Sequence, residues 1–174
     1  MNLSGDSTWV ISTNDIGDFA LYTRDALGIS TPTADSIPRL TPPVPRLTGA
    51  LIPPELVQDW DRWWRDCTET GFGRDPVGLP EGLRQAYTRW SGLRPAEAGR
   101  SSARTFSSLL HEVVTELELE LGHRPAFKLE VIQIPVEGLF WRRLTRDRVL
   151  VSEELMGSRN IIAPLESVLR DLAQ

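Results

Sequence analysis

From Pro54 to Cys67 the apolar residues recur at helical spacing. Placed about 100° apart around an axis, Leu56, Val57, Trp60, Trp63, Trp64 and Cys67 fall within an arc of about 120°. The charged and polar residues Glu55, Gln58, Asp59, Asp61, Arg62, Arg65 and Asp66 fall outside it. A strand would instead put Trp60, Arg62 and Trp64 on one side. The pattern predicts an amphipathic helix over 54–67, opened by Pro53 or Pro54 and by Glu55 at the positive end of its dipole. Trp64 lies towards the edge of the arc, between Asp61 and Arg65, and is a candidate surface or pocket residue.

The same period predicts a helix over 81–90, with Leu83, Ala86, Tyr87 and Trp90 on one face. A longer helix is expected from Ser101 or Ser102 to Leu121, striped by Phe106, Leu109, Leu110, Val113, Val114 and Leu117. Its end, Glu116 to Leu121, alternates as a strand would. Leu and Glu favour helix, however, and Gly122 supplies a stop. Pro164 opens a last helix carrying Leu165, Val168, Leu169 and Leu172, and a short helix is expected at 153–156.

Period-two segments read as strands: TWVIST at 8–13, AFKLEVIQIPV at 126–136, LFWRRL at 139–144 and RVLVS at 148–152. The second changes parity after Val131, which predicts a bulge or burial on both faces. Residues 15–27 fit either a helix ended by Gly28 or the return strand of a hairpin. The strand formers on both flanks favour the hairpin. More than half of the thirteen prolines crowd into residues 31–54, around the duplication PRLT-PPV-PRLT. Each fixes φ and removes a donor, so a polyproline-like arm without helix or central strand is expected there. Arg39, Pro42 and Pro45 formally make an R-x-x-P-x-x-P pattern, for which a stiff connection is the simpler reading.

Helices followed by strands define an α+β class. The expectation is a single domain over 1–174, about four helices on a small, mostly antiparallel sheet, with the proline-rich arm inside it. Residues 1–30 are too few to bury a core alone and are expected to add strands to the C-terminal sheet.

Composition narrows the setting. The chain has 174 residues, 40% of them hydrophobic and 25% charged, which is ordinary for one globular domain. No apolar run is long enough to span a bilayer, and the N-terminus lacks a signal-peptide pattern. One cysteine excludes an intrachain disulfide framework, so a reducing cytoplasm is expected. The net charge of -5 argues against nonspecific binding to nucleic acid or anionic membrane. Lys128 is the only lysine, a bias that high-GC bacterial coding explains.

Motifs for chemistry are weak. His111-Glu112 begins a zinc-protease pattern, but Thr115 stands where the second histidine belongs. Cys67 sits on an apolar face near a helix C-terminus, which disfavours a thiolate. GFGRDPVG lacks the lysine of a phosphate loop, and Glu116 and Glu120 read as a solvated helix edge. No metal or cofactor is expected, and the balance leans against an enzyme. The distinctive local feature is FWRRLTRDRV, where Arg142, Arg143, Arg146 and Arg148 stand beside Trp141. The favoured expectation is a non-catalytic adaptor, regulator or immunity-type protein that meets a protein partner with an acidic patch through these residues. The alternatives are an enzyme or small-ligand binder with a pocket between the tryptophan helix and the sheet, and nucleic-acid binding through the arginine hairpin, which the net charge disfavours.

Overall fold

The computed structural model describes residues 8–13, 15–49 and 51–173. In chain order its elements are β1 (Thr8–Thr13), α1 (Asp15–Leu27), α2 (Pro32–Asp35), α3 (Pro54–Glu69), α4 (Leu83–Ser91), α5 (Ala96–Leu121), β2 (Lys128–Ile134), β3 (Trp141–Arg143), β4 (Arg148–Ser152), α6 (Glu153–Met156) and α7 (Ile162–Leu172), with a 3-10 turn at Arg159–Ile161. The fold is α+β. Its described residues group into two compact units. A sheet unit holds the strands with α5, α6 and α7; a helical unit holds α1 to α4 and the segment Ile134–Gly138.

In the sheet unit the strand order is β1-β2-β4-β3. β3 and β4 run antiparallel, with Trp141 opposite Val151, Arg142 opposite Leu150 and Arg143 opposite Val149. The sheet as a whole is mixed, not mostly antiparallel. Thr8 N–H donates to Phe127 O at 2.9 Å and Glu130 N–H to Asp147 O at 2.8 Å. The starts of β1 and β4 therefore both lie beside the start of β2. Apolar β2 and β4 take the centre, while short, arginine-bearing β3 takes an edge, where charge discourages indiscriminate pairing. β2 is buried continuously from Val131 to Ile134, so its change of parity reflects burial on both faces. Phe106, Leu110 and Leu117 of α5 and Leu165 and Leu169 of α7 complete this unit's core with Leu129, Val131, Val149 and Val151.

α5 begins at Ala96, several residues before the expected start at Ser101 or Ser102. Gly99 is accommodated in its first turns because a Cβ there would lie 3.2 Å from the Gln133 amide and 3.3 Å from Glu153. Gln133 Nε2 donates to Gly99 O at 3.2 Å. Gly99 is a point of close approach.

In the helical unit, residues 15–27 form a helix and not the return strand of a hairpin. The cause is burial all round: every described side chain from Asp18 to Leu27 is buried. A helix satisfies its own backbone inside such a setting. Polar residues at 18, 23, 24 and 25 interrupt the apolar pattern and hid the period. α3 packs against α1, and Phe19 meets Trp63 edge-on with centroids 5.6 Å apart. Trp60 is fully buried and its Nε1 donates to Ala20 O at 2.8 Å.

The proline-rich segment is more structured than a polyproline arm. α2 lies within it: Pro32 takes the first turn, where its missing N–H costs nothing, and Thr31 Oγ1 accepts from Ala34 N–H at 3.0 Å. Further on, Leu40 bridges Val136. Thr41 N–H donates to Pro135 O at 2.8 Å and Glu137 N–H to Arg39 O at 2.9 Å. Ala34, Ile37 and Leu40 are buried, so the arm is bound to the unit by apolar anchors at every third position.

Candidate functional site

The arginine-rich segment 140–148 folds as the β3–β4 hairpin. Ser152 N–H donates to Phe140 O at 3.0 Å and Leu144 N–H to Arg148 O at 2.9 Å. In an antiparallel pair such bonded positions recur every two residues. Arg142 and Leu150 are therefore also a bonded pair, and the backbone N–H and C=O of Trp141 and Arg143 point away from β4. β3 is the last strand of the sheet, so that outward row has no partner strand among the described residues.

Alternation along β3 divides the arginines between faces. Trp141 and Arg143 share one face. Trp141 is half-buried against the sheet unit's core. Arg143 Nη2 donates to Asp171 Oδ2 of α7 at 2.5 Å, and its Nε donates to the carbonyls of Thr145 and Arg146 at 3.1 Å each. Arg142 lies on the other face with Phe140, and its guanidinium stands 5.3 Å from that ring's centroid, a cation–π distance. In the turn, Arg146 is exposed and donates through Nη2 to Asp171 O at 3.2 Å. Arg148 donates from Nε and Nη2 to Glu130 Oε2 at 2.9 and 2.6 Å.

The hairpin is thus not four interchangeable surface cations. Arg148 neutralises Glu130 and Arg143 neutralises Asp171. The hydrogen bond from Arg143, together with the charges of Arg143 and Arg146, holds the Asp171 carboxyl below the ordinary aspartate range. Two cations at the C-terminal end of α7 also complement its dipole. Arg146 meets only main-chain oxygen in that region, which leaves its charge unmatched by a direct carboxylate contact.

Trp64 belongs elsewhere. It is 3% exposed in the helical unit and stacks on Trp60, with planes 3° apart and centroids 5.9 Å apart. The candidate surface or pocket residue is core. The wheel put it at the edge of the apolar arc, but its length carries the ring inwards. Trp60 and Trp63 are likewise buried. Cys67 is a buried thiol outside any disulfide, and burial, reinforced by Asp66 and Asp75, pushes it up to about 12. It is protonated at neutral pH and unsuited to nucleophilic work. His111 is exposed, and Glu112 is paired with Arg159 at 2.7 Å. Among the described residues no group of three or more metal-ligating side chains comes together. None of their helices is long and apolar enough to cross a membrane.

A second arginine system, missed in the sequence, lies at the C-terminal end of α1. Arg24 is fully buried. Its Nε donates to Asp25 Oδ1 at 2.7 Å, Nη1 to Ala34 O and Ile37 O at 3.0 and 2.7 Å, and Nη2 to Pro38 O at 2.7 Å. Asp25 also accepts from Arg39 Nη1 at 2.9 Å and from Leu40 N–H at 2.8 Å. Burial pulls Arg24 below the usual arginine range while Asp25 pushes it back. Proline-rich chain is poor in donors but keeps its carbonyls, and one guanidinium fork supplies what they need. A charged pair inside a helix of apolar neighbours was the available signal.

Comparison with protein families, with curated proteins and with solved structures returns no match to this chain.

Proposed function

We propose that the protein is a non-catalytic, cytoplasmic interaction protein, an adaptor or regulator, that captures an extended acidic segment of a protein partner along β3. The outward backbone row of Trp141 and Arg143 on the sheet's edge carries this reading. A segment added to that edge gains main-chain hydrogen bonds, and alternate side chains then meet alternate faces. Acidic residues at successive positions would lie near Arg142 on one face and near Arg146 on the other. Strand addition therefore lets arginines divided between two faces serve one ligand. The internal pairs of Arg143 and Arg148 keep the hairpin in place before binding, which lowers the ordering cost. The lone cysteine supports the assignment to a reducing compartment.

Fluorescence anisotropy with a labelled Glu–Val peptide of repeating Val-Glu-Glu-Val, which puts glutamates on both faces of an extended strand, tests this reading, with the Lys–Val counterpart as control. The acidic peptide should bind and the basic one should not. The Arg142→Ala/Arg146→Ala double variant should weaken binding at least tenfold in protein whose circular dichroism matches wild type. Equal binding of both peptides, or of the acidic peptide to wild type and variant, refutes it.

A further inference from the structure

The end of α1 carries a second feature that the β3 reading does not use. A cavity of about 290 Å³ opens there, walled by Asp25, Arg39, Leu40, Val44, Arg46 and Glu137. We propose that this cavity binds a small oxyanion, a carboxylate or phosphate group, between the guanidinium groups of Arg39 and Arg46.

The charges on the wall are not equally committed. Asp25 is spent: its two oxygens accept from Arg24, Arg39 and the Leu40 amide. It therefore offers little repulsion to an incoming anion and fixes Arg39 in place. Arg39 uses Nη1 for that bond and is 48% exposed, so its Nε and Nη2 remain for a ligand. Arg46 is exposed and donates to no described residue. Its guanidinium lies so close over Gly28 that a Cβ there would overlap it. Gly28 has φ +73°, a conformation glycine adopts without strain. Leu47 N–H donates to Ala26 O at 2.9 Å and pins the chain beside Arg46 to the same helix end.

Two guanidinium forks, each positioned before a ligand arrives, suit planar or tetrahedral oxyanions. The wall's two cations and two carboxylates balance, but Arg24 behind it also pairs with Asp25, so Arg46 faces the cavity without a carboxylate partner of its own among the described residues. Glu137 is exposed on the rim and disfavours ligands of high negative charge. Pro43 and Val44 give the rest of a ligand an apolar surface. Arg46 also complements the α1 dipole, but that role does not require Arg39 beside it or a cavity between them.

The test is NMR of arginine side-chain N–H groups in 15N-labelled protein, titrated with sodium phosphate, sodium succinate or sodium chloride at constant ionic strength. Arg39→Gln and Arg46→Gln variants assign the two signals. The proposal expects saturable shifts of Arg39 and Arg46 with phosphate or succinate and none with chloride. Whichever anion saturates first identifies the preferred oxyanion. In Arg46→Gln the shift of Arg39 should need at least tenfold more anion, while the circular dichroism in chloride matches wild type. No saturable shift with either oxyanion, or the same Arg39 response in Arg46→Gln, overturns it. The β3 peptide assay is unaffected by either result, so the two readings fail separately.

Discussion

Replacing Arg24 by methionine is the sharpest perturbation of the fold. Methionine keeps much of the aliphatic stem and deletes the guanidinium, so packing changes little and hydrogen bonding changes greatly. The carbonyls of Ala34, Ile37 and Pro38 lose donors now at 2.7–3.0 Å. A buried acceptor left unpaired costs about 1–3 kcal/mol, giving a gross loss of about 3–9 kcal/mol. Removing a desolvated cation returns part of that, and breaking one side of a buried ion pair typically nets about 3–5 kcal/mol. Asp25 is cushioned because Arg39 and the Leu40 amide still serve it. We therefore expect Arg24→Met to destabilise the protein by about 3–5 kcal/mol in urea unfolding followed by tryptophan fluorescence. Hydrogen exchange adds a local readout: the amides of Leu40 and Leu47, bonded to Asp25 and to Ala26, should lose protection first. A loss below about 1 kcal/mol, the ordinary value of one hydrogen bond, with protection at Leu40 unchanged, would refute the claim that Arg24 fastens the proline-rich segment.

Trp64→Ala should cost about 3–5 kcal/mol, as for other fully packed aromatics; a change within about 0.5 kcal/mol would return Trp64 to the surface. Cys67 should resist iodoacetamide in the folded protein at pH 8 and react once urea exposes it. Its folded pKa of about 12 exceeds the ordinary 9.0, so the folded state holds the proton more tightly than the unfolded one. Its contribution to stability is complete below pH 9 and is lost as pH rises towards 12. Tyr22, also raised by burial, adds to the same alkaline loss. Cys67→Ala should therefore lessen it without abolishing it, and an alkaline limb identical to wild type would contradict this assignment.

Where one period dominated, the sequence was sufficient. The stripes of α3, α4 and α7, the ending of α5 in Glu116–Leu121 and the strands at 8–13 and 148–152 could all be read from spacing, because one buried face imposes one period. The errors have a common physical origin. α1 is buried on every side, so its amphipathic signal vanishes and its polar residues look like loop. Asp25 and Arg24 answer to Arg39 and to carbonyls ten to fourteen residues away, contacts no local window contains. α2 is hidden in the sequence because proline is excluded from helix interiors, although a first turn tolerates it. Strand order follows from long-range pairing, so a mixed sheet was read as mostly antiparallel. The arginine hairpin was found, but its pairing was not: Asp171 reaches Arg143 from 28 positions away. Local density of charge showed where the arginines are, and only the fold shows which of them are neutralised.

The central claim is that β3 presents an edge for an acidic partner segment. Native pull-down from the source cell, run in parallel with wild type and with Arg142→Ala/Arg146→Ala, tests it most directly when an excess of the Glu–Val peptide is added as competitor. The account predicts a stoichiometric partner with an acidic extended segment, released by the peptide and absent with the variant. A partner retained equally by both proteins and insensitive to the peptide would contradict it.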